Sequence, residues 1–96
     1  MLTSKQRARL RALANPMETI MQVGKSGVTP ELAAEIGNAL TARELIKLRA
    51  LETCPTDPRT TAIELAEATG AEVVQVIGTR FVLYRANPKK PVIKLD

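Results

Sequence analysis

Apolar positions along this chain switch between two spacings. From Thr3 to Ala14 the spacing is helical, with Gln6, Leu10, Leu13 and Ala14 on one side. Lys5 and Arg9 flank that stripe on one edge, Arg7 and Arg11 on the other. Thr3-Ser4-Lys5-Gln6 has the form of a capping box, and Asn15-Pro16 ends the helix. Thr19 to Val23 reads as a short strand. Thr29 and Pro30 then supply an N-cap and a first helical residue. Leu32, Ala33, Ile36 and Leu40 form the stripe of this second helix, with Gly37 inside it as a point of close packing. Glu44 to Leu51 alternates: Ile46, Leu48 and Ala50 point one way, Leu45, Lys47, Arg49 and Leu51 the other. Asp57-Pro58 repeats the helix-start signal, and the third helix runs to Gly70 with Ala62, Ile63 and Ala66 inward and Glu64 and Glu67 outward. "EVVQVI" and "RFVLYR" are strands joined by Gly78-Thr79, where glycine in the first turn position suits a type II′ hairpin.

The order is α-β-α-β-α-β-β. Two strand–helix–strand units predict parallel pairing with right-handed crossovers, and the last hairpin is antiparallel. The expected fold is a two-layer α/β domain with a mixed four-stranded sheet. At 96 residues the chain fits one domain, 1–96, with 86–96 a loosely ordered tail that adds at most a short extended segment.

Composition then removes whole classes of chemistry. Histidine is absent, which excludes His-dependent catalysis and His-liganded metal. Cys54 is the single cysteine, so neither an intrachain disulfide nor a cysteine metal cluster can form. It has no neighbouring base to activate it and reads as an incidental loop residue. Asp57, Glu64 and Glu67 near a helix start serve capping and surface charge better than acid–base catalysis. No run of about 18 apolar residues is present, and the start lacks a secretory core. These readings predict a cytoplasmic, non-enzymatic monomer without cofactor, membrane or small-molecule substrate. The net charge is +4 and unevenly spread: both ends are basic and the middle is acidic. If the ends meet, one surface attracts polyanions.

"IMQVGKSGVTPEL" carries the sharpest candidate. Gly24-Lys25-Ser26 looks like the end of a P-loop, but Thr19 stands where the first glycine belongs. What remains is Gly24-Lys25-Ser26-Gly27, a G-x-x-G loop of the kind KH modules use to clamp a nucleic-acid backbone. Glycine lets phosphate approach, the following helix start directs N–H groups there, and Lys25 and Ser26 add a charge and a donor. A purely local role for both glycines, in a tight strand-to-helix turn, explains the same pattern.

Four segments together resemble the bacterial stand-alone CRM domain, the YhbY-type RNA-binding family: "LTSKQRARLRALA", "VGKSGVT", "ALTARELIKLRAL" and "TGAEVVQVIGTRFVLYR". Val28 departs from a commoner leucine without consequence. The resemblance implies a fold like the C-terminal domain of the third bacterial translation initiation factor. It also implies RNA binding through the glycine loop and adjacent basic surface, and association with large ribosomal subunit precursors. The alternative is a KH-like RNA-binding or protein-interaction module not tied to the ribosome. The candidate RNA-binding residues are Gly24, Lys25, Ser26, Gly27, Lys5, Arg11, Arg80 and Arg85. For Lys5 and Arg11 a solvated helix face is the plain alternative. Lys47 and Arg49 either line an open sheet face or keep it soluble. Phe81 and Tyr84 are the only aromatic residues and are expected to pack, which leaves no stacking platform of the RRM kind.

Overall fold

The computed structural model describes residues 2–95. It contains α1 (Ser4–Ala14), β1 (Thr19–Val23), α2 (Pro30–Arg43), β2 (Leu45–Ala50), α3 (Pro58–Thr69), β3 (Glu72–Ile77) and β4 (Arg80–Tyr84), the expected order. Asp96, the last residue of the expected tail, lies outside the described residues.

Local signals account for the helix ends. Thr3 Oγ1 accepts from the Gln6 N–H, and Gln6 Oε1 accepts from the Thr3 N–H, each at 3.1 Å. Thr29 and Asp57 cap α2 and α3, each followed by proline at the first helical position. Gly70 closes α3 at φ 72°, where a residue with a Cβ is penalised. Gly78 has φ 58° while Thr79 stays at negative φ, which matches the type II′ expectation.

The sheet order is β1-β2-β4-β3. β1 and β2 are parallel, as the first strand–helix–strand unit requires. β2 and β3 run the same way without touching, because β4 lies between them and pairs antiparallel with both. The second crossover therefore skips one strand position, which a hairpin following β3 makes natural.

Alternation along the strands separates two cores. Ile46, Leu48 and Ala50 of β2 and Phe81 and Leu83 of β4 face α2 and α3. Leu45, Val82, Tyr84 and Val74 face the other way and pack against Leu10 and Ala14 of α1. Helices thus cover both faces, and the expectation of two layers needs α1 added as a third. Burial at two opposite strand faces is the reason: Leu10 and Ala14 have no accessible surface. α3 also differs from its expected facing. Ile63 is exposed, and Thr61, Ala62, Leu65 and Ala66 form the buried stripe. At 100° per residue, positions 61, 62, 65 and 66 share a side that excludes 63.

Residues 86–95, read from sequence as a loose tail, are drawn back to one side chain. Glu44 follows α2 at φ 65° and is fully buried. Its carboxylate accepts from the backbone N–H groups of Asn87, Val92 and Ile93, each at 2.6 Å. Its own carbonyl accepts from the Arg85 N–H. Burial alone would raise this carboxyl's pKa; the three backbone donors outweigh it and hold the pKa below the ordinary value.

Candidate nucleic-acid interface

β1 ends at Val23, and the chain turns at once. The Gly27 N–H donates to the Gly24 carbonyl at 2.9 Å, closing a four-residue turn with Lys25 and Ser26 exposed at its tip. The neighbouring β2–α3 loop backs the turn: Leu51 N–H donates to the Val23 carbonyl at 2.8 Å.

The two glycines are not equivalent. Gly27 is buried at φ 64°, and a Cβ there would meet Pro55 Cγ at 3.0 Å. Its lack of a side chain is a requirement of the turn. Gly24 has no positive φ, and a Cβ would make only ordinary contacts with Leu51 Cδ1 at 3.5 Å and Thr53 Oγ1 at 3.7 Å. The turn does not need glycine at that position. The plain structural explanation covers one glycine and leaves the other open to close approach by a ligand.

The start of α2 contributes less than expected. Pro30 has no N–H, and the Leu32 N–H is taken by Thr29 Oγ1 at 3.1 Å. The Ala33 N–H goes to the Thr29 carbonyl. Of the first turn this leaves the Glu31 N–H, beside a carboxylate that already answers the helix dipole. The anion-binding capacity of the turn therefore rests on Lys25 and Ser26 more than on the helix terminus.

The sheet divides the remaining candidates. Arg80 opens β4 at the same end as the loop, since the Ala50 N–H donates to the Thr79 carbonyl at 2.8 Å. Arg80 lies across from Arg49, and Arg49 in turn from Gln22 of β1. Arg11 stands in the last turn of α1, one turn on from Arg7, which donates to the Val73 carbonyl. That flank overlooks the sheet. Lys5 and Arg85 are elsewhere. Lys5 is in the first turn of α1, and the chain just before it is held at the start of β3 by the Leu2 N–H on Glu72 Oε1. Arg85 follows the far end of β4. Its guanidinium donates to the Gly37 and Thr69 carbonyls and Thr41 Oγ1, each at 2.7 Å. It joins α2 to the C-terminus of α3 and has little left for a ligand. Phe81 and Tyr84 are both buried.

Sequence reasoning left Arg49 out of the site. Its position on the polar side of β2 was legible, but the insertion of β4, which brings Arg80 beside it, was not. A cleft of about 930 Å³ opens at the other end of the sheet, where Glu44, Glu72 and Tyr84 contribute to its lining. Burial, and after it the nearby Glu44 and Glu72 carboxylates, push the Tyr84 hydroxyl pKa up. Among the described residues no three His, Cys, Asp or Glu side chains gather to hold a metal, and no helix is long and apolar enough to cross a membrane. Cys54 is half-buried, with its sulfur 3.4 Å from Thr61 Oγ1. Burial raises its pKa, and the Thr61 and Thr56 hydrogen bonds reverse that to a net lowering.

Comparison with known proteins bears on the fold and the family. The model of the CRS1 / YhbY (CRM) domain matches residues 2–85. A Bacillus subtilis protein named "Probable RNA-binding protein YqeI" is 40% identical over 95 residues, spanning 99% of each chain. A Haemophilus influenzae protein named "RNA-binding protein" is 32% identical over 91 residues, 95% of this chain and 92% of its own. The solution structure of the hypothetical protein SAV1595 from Staphylococcus aureus superposes with a TM-score of 0.83 at 41% identity and covers 100% of both chains.

Proposed function

Since the chain belongs to the CRS1 / YhbY (CRM) domain family, we propose that it is a non-enzymatic RNA-binding protein that holds structured ribosomal RNA and assists assembly of the large subunit. The observation that carries the reading is the asymmetry of the glycine loop: Gly27 is fixed by the turn, while Gly24 is bare without a packing reason, beside exposed Lys25 and Ser26. Relatives over nearly the whole chain are named RNA-binding proteins. Phosphate contacts from Lys25, Ser26 and Arg80 position an RNA without reading its bases, so recognition comes from a folded RNA surface. A ribosomal precursor supplies such a surface. On this reading the protein works as a monomer in the cytoplasm, with Arg11 at the margin of the site and Lys5 and Arg85 outside it.

Sucrose-gradient fractionation with an antibody to the protein tests the assembly role. The expected result is co-sedimentation with incomplete large subunits and accumulation of such particles on deletion, most visibly in the cold. A protein confined to the top of the gradient, with an unchanged ribosome profile on deletion, would leave RNA binding without the ribosomal role.

A further inference from the structure

α1 does not cover its whole face of the sheet. Val82 and Tyr84 of β4 cluster with Leu10 and Ala14 of α1, and Arg80, the next residue of β4 on that face, is exposed. At that step toward the loop, register places Gln22, Arg49, Arg80 and Ile77 in a row across all four strands. The row spans about 14 Å at ordinary strand spacing. Gln22 and Arg80 are exposed, and Ile77 keeps 63% of its surface accessible.

Two features of this row are costly to the fold. Arg49 and Arg80 are direct cross-strand neighbours, and like charges in that position repel. Arg49 Nε is buried and finds no hydrogen-bond partner among the described residues. An anion resting on the row would relieve the repulsion. Ile77, at the hairpin end, gains nothing from a phosphate but gains from the apolar face of an unpaired base. The row is also continuous with the loop, because Gln22 is two residues before Gly24.

We propose that this row is a second contact for the same RNA. The segment leaving the glycine loop crosses the sheet as a single strand, with phosphates on Arg49 and Arg80 and an unpaired base against Ile77. The assignment rests on the RNA-binding reading of the loop and extends it to a substrate feature: a single-stranded stretch flanking the folded element. Guanidinium groups suit this use, since they bind phosphate in a fork and stack on bases.

Fluorescence anisotropy with two probes, an unstructured oligouridylate and a fully paired RNA hairpin, tests the proposal. Arg49→Ala with Arg80→Ala should weaken oligouridylate binding by about 20- to 30-fold, a factor of about five for each charged contact. It should also lower the salt slope by about 1.4, at 0.7 for each phosphate contact in a single strand. Gln22→Glu provides a variant with no folding risk: a carboxylate beside Arg49 should raise the melting temperature and still reduce affinity for the strand. Ile77→Ala should weaken the oligouridylate and leave the paired hairpin unchanged. Lys25→Asp with Ser26→Asp serves as the loop control. If the loop variant loses RNA while the row variants bind the strand like wild type, the row proposal is overturned, Arg80 leaves the site, and the reading of the loop through Lys25 and Ser26 stands. Ile77→Ala acting equally on both probes overturns the single-strand assignment. A wild-type protein that binds neither probe nor ribosomal RNA overturns the reading of the loop itself.

Discussion

Replacing each loop glycine with alanine separates packing from ligand contact. At Gly27 alanine must hold φ 64°, which costs about 1–2 kcal/mol. Its Cβ also falls 3.0 Å from Pro55 Cγ, a ring carbon that must give way. A total of about 2–3 kcal/mol follows from adding a modest overpacking cost. For a domain of this size each kcal/mol is worth about 4–8 °C, so Gly27→Ala should melt roughly 10–20 °C lower. At Gly24 the new methyl group meets Leu51 and Thr53 at ordinary distances with no positive φ to hold. Stability should change by less than about 0.5 kcal/mol. RNA affinity should nevertheless drop about fivefold or more, because the methyl occupies the space a phosphate approaches. Thermal unfolding by circular dichroism and RNA binding by anisotropy give both numbers. Equal melting temperatures for the two variants would refute the distinction between the glycines. Wild-type affinity in Gly24→Ala would reduce the loop to a turn.

Other consequences follow from the far end of the sheet. Glu44→Gln should free the tail, because a neutral amide presents an N–H toward the Asn87 donor and weakens three charge-assisted bonds. Hydrogen exchange at Asn87, Val92 and Ile93 should accelerate while the core amides stay protected. Glu44 has a lowered folded pKa, so its contribution is complete above the unfolded value and is lost as pH falls through the folded one. In wild type the same amides should therefore lose protection only below about pH 4.3, the ordinary glutamate value. Arg85→Ala should cost about 1–3 kcal/mol through the Thr69 carbonyl it leaves unmatched, since the Gly37 carbonyl keeps the Thr41 hydroxyl, and urea denaturation should record it. RNA affinity of the folded variant should stay within about twofold of wild type.

Much of the fold was legible because its signals are local. Thr3 with Gln6, Thr29 with Pro30, and Asp57 with Pro58 each fix a helix start within a few residues. The alternation in β2 correctly separated Ile46, Leu48 and Ala50 from Lys47 and Arg49. The non-local arrangements were not legible. Nothing near Arg80 indicates that β4 will lie beside β2, and that pairing creates the basic row. Arg85 reads as a free cation because its three partners are distant in sequence and two of them, the Gly37 and Thr69 carbonyls, are backbone groups that leave no mark in a residue pattern. Glu44 is hidden for the same reason: its three partners are main-chain donors from a segment that looks structureless. At the loop, the motif located the turn, but only the surroundings of each glycine told their roles apart.

RNA binding by this fold depends most on exposed positive charge and an uncrowded backbone at the glycine loop meeting RNA phosphate. Affinity for protein-free large-subunit ribosomal RNA, measured across salt for wild type and for Lys25→Asp with Ser26→Asp, tests this directly. About three to six phosphate contacts predict a wild-type log–log slope between roughly −2 and −4. The double variant should keep the wild-type circular dichroism spectrum and melting temperature, bind at least about 30-fold more weakly, and show a shallower slope. A folded double variant with wild-type affinity, or a wild-type affinity indifferent to salt, would contradict it.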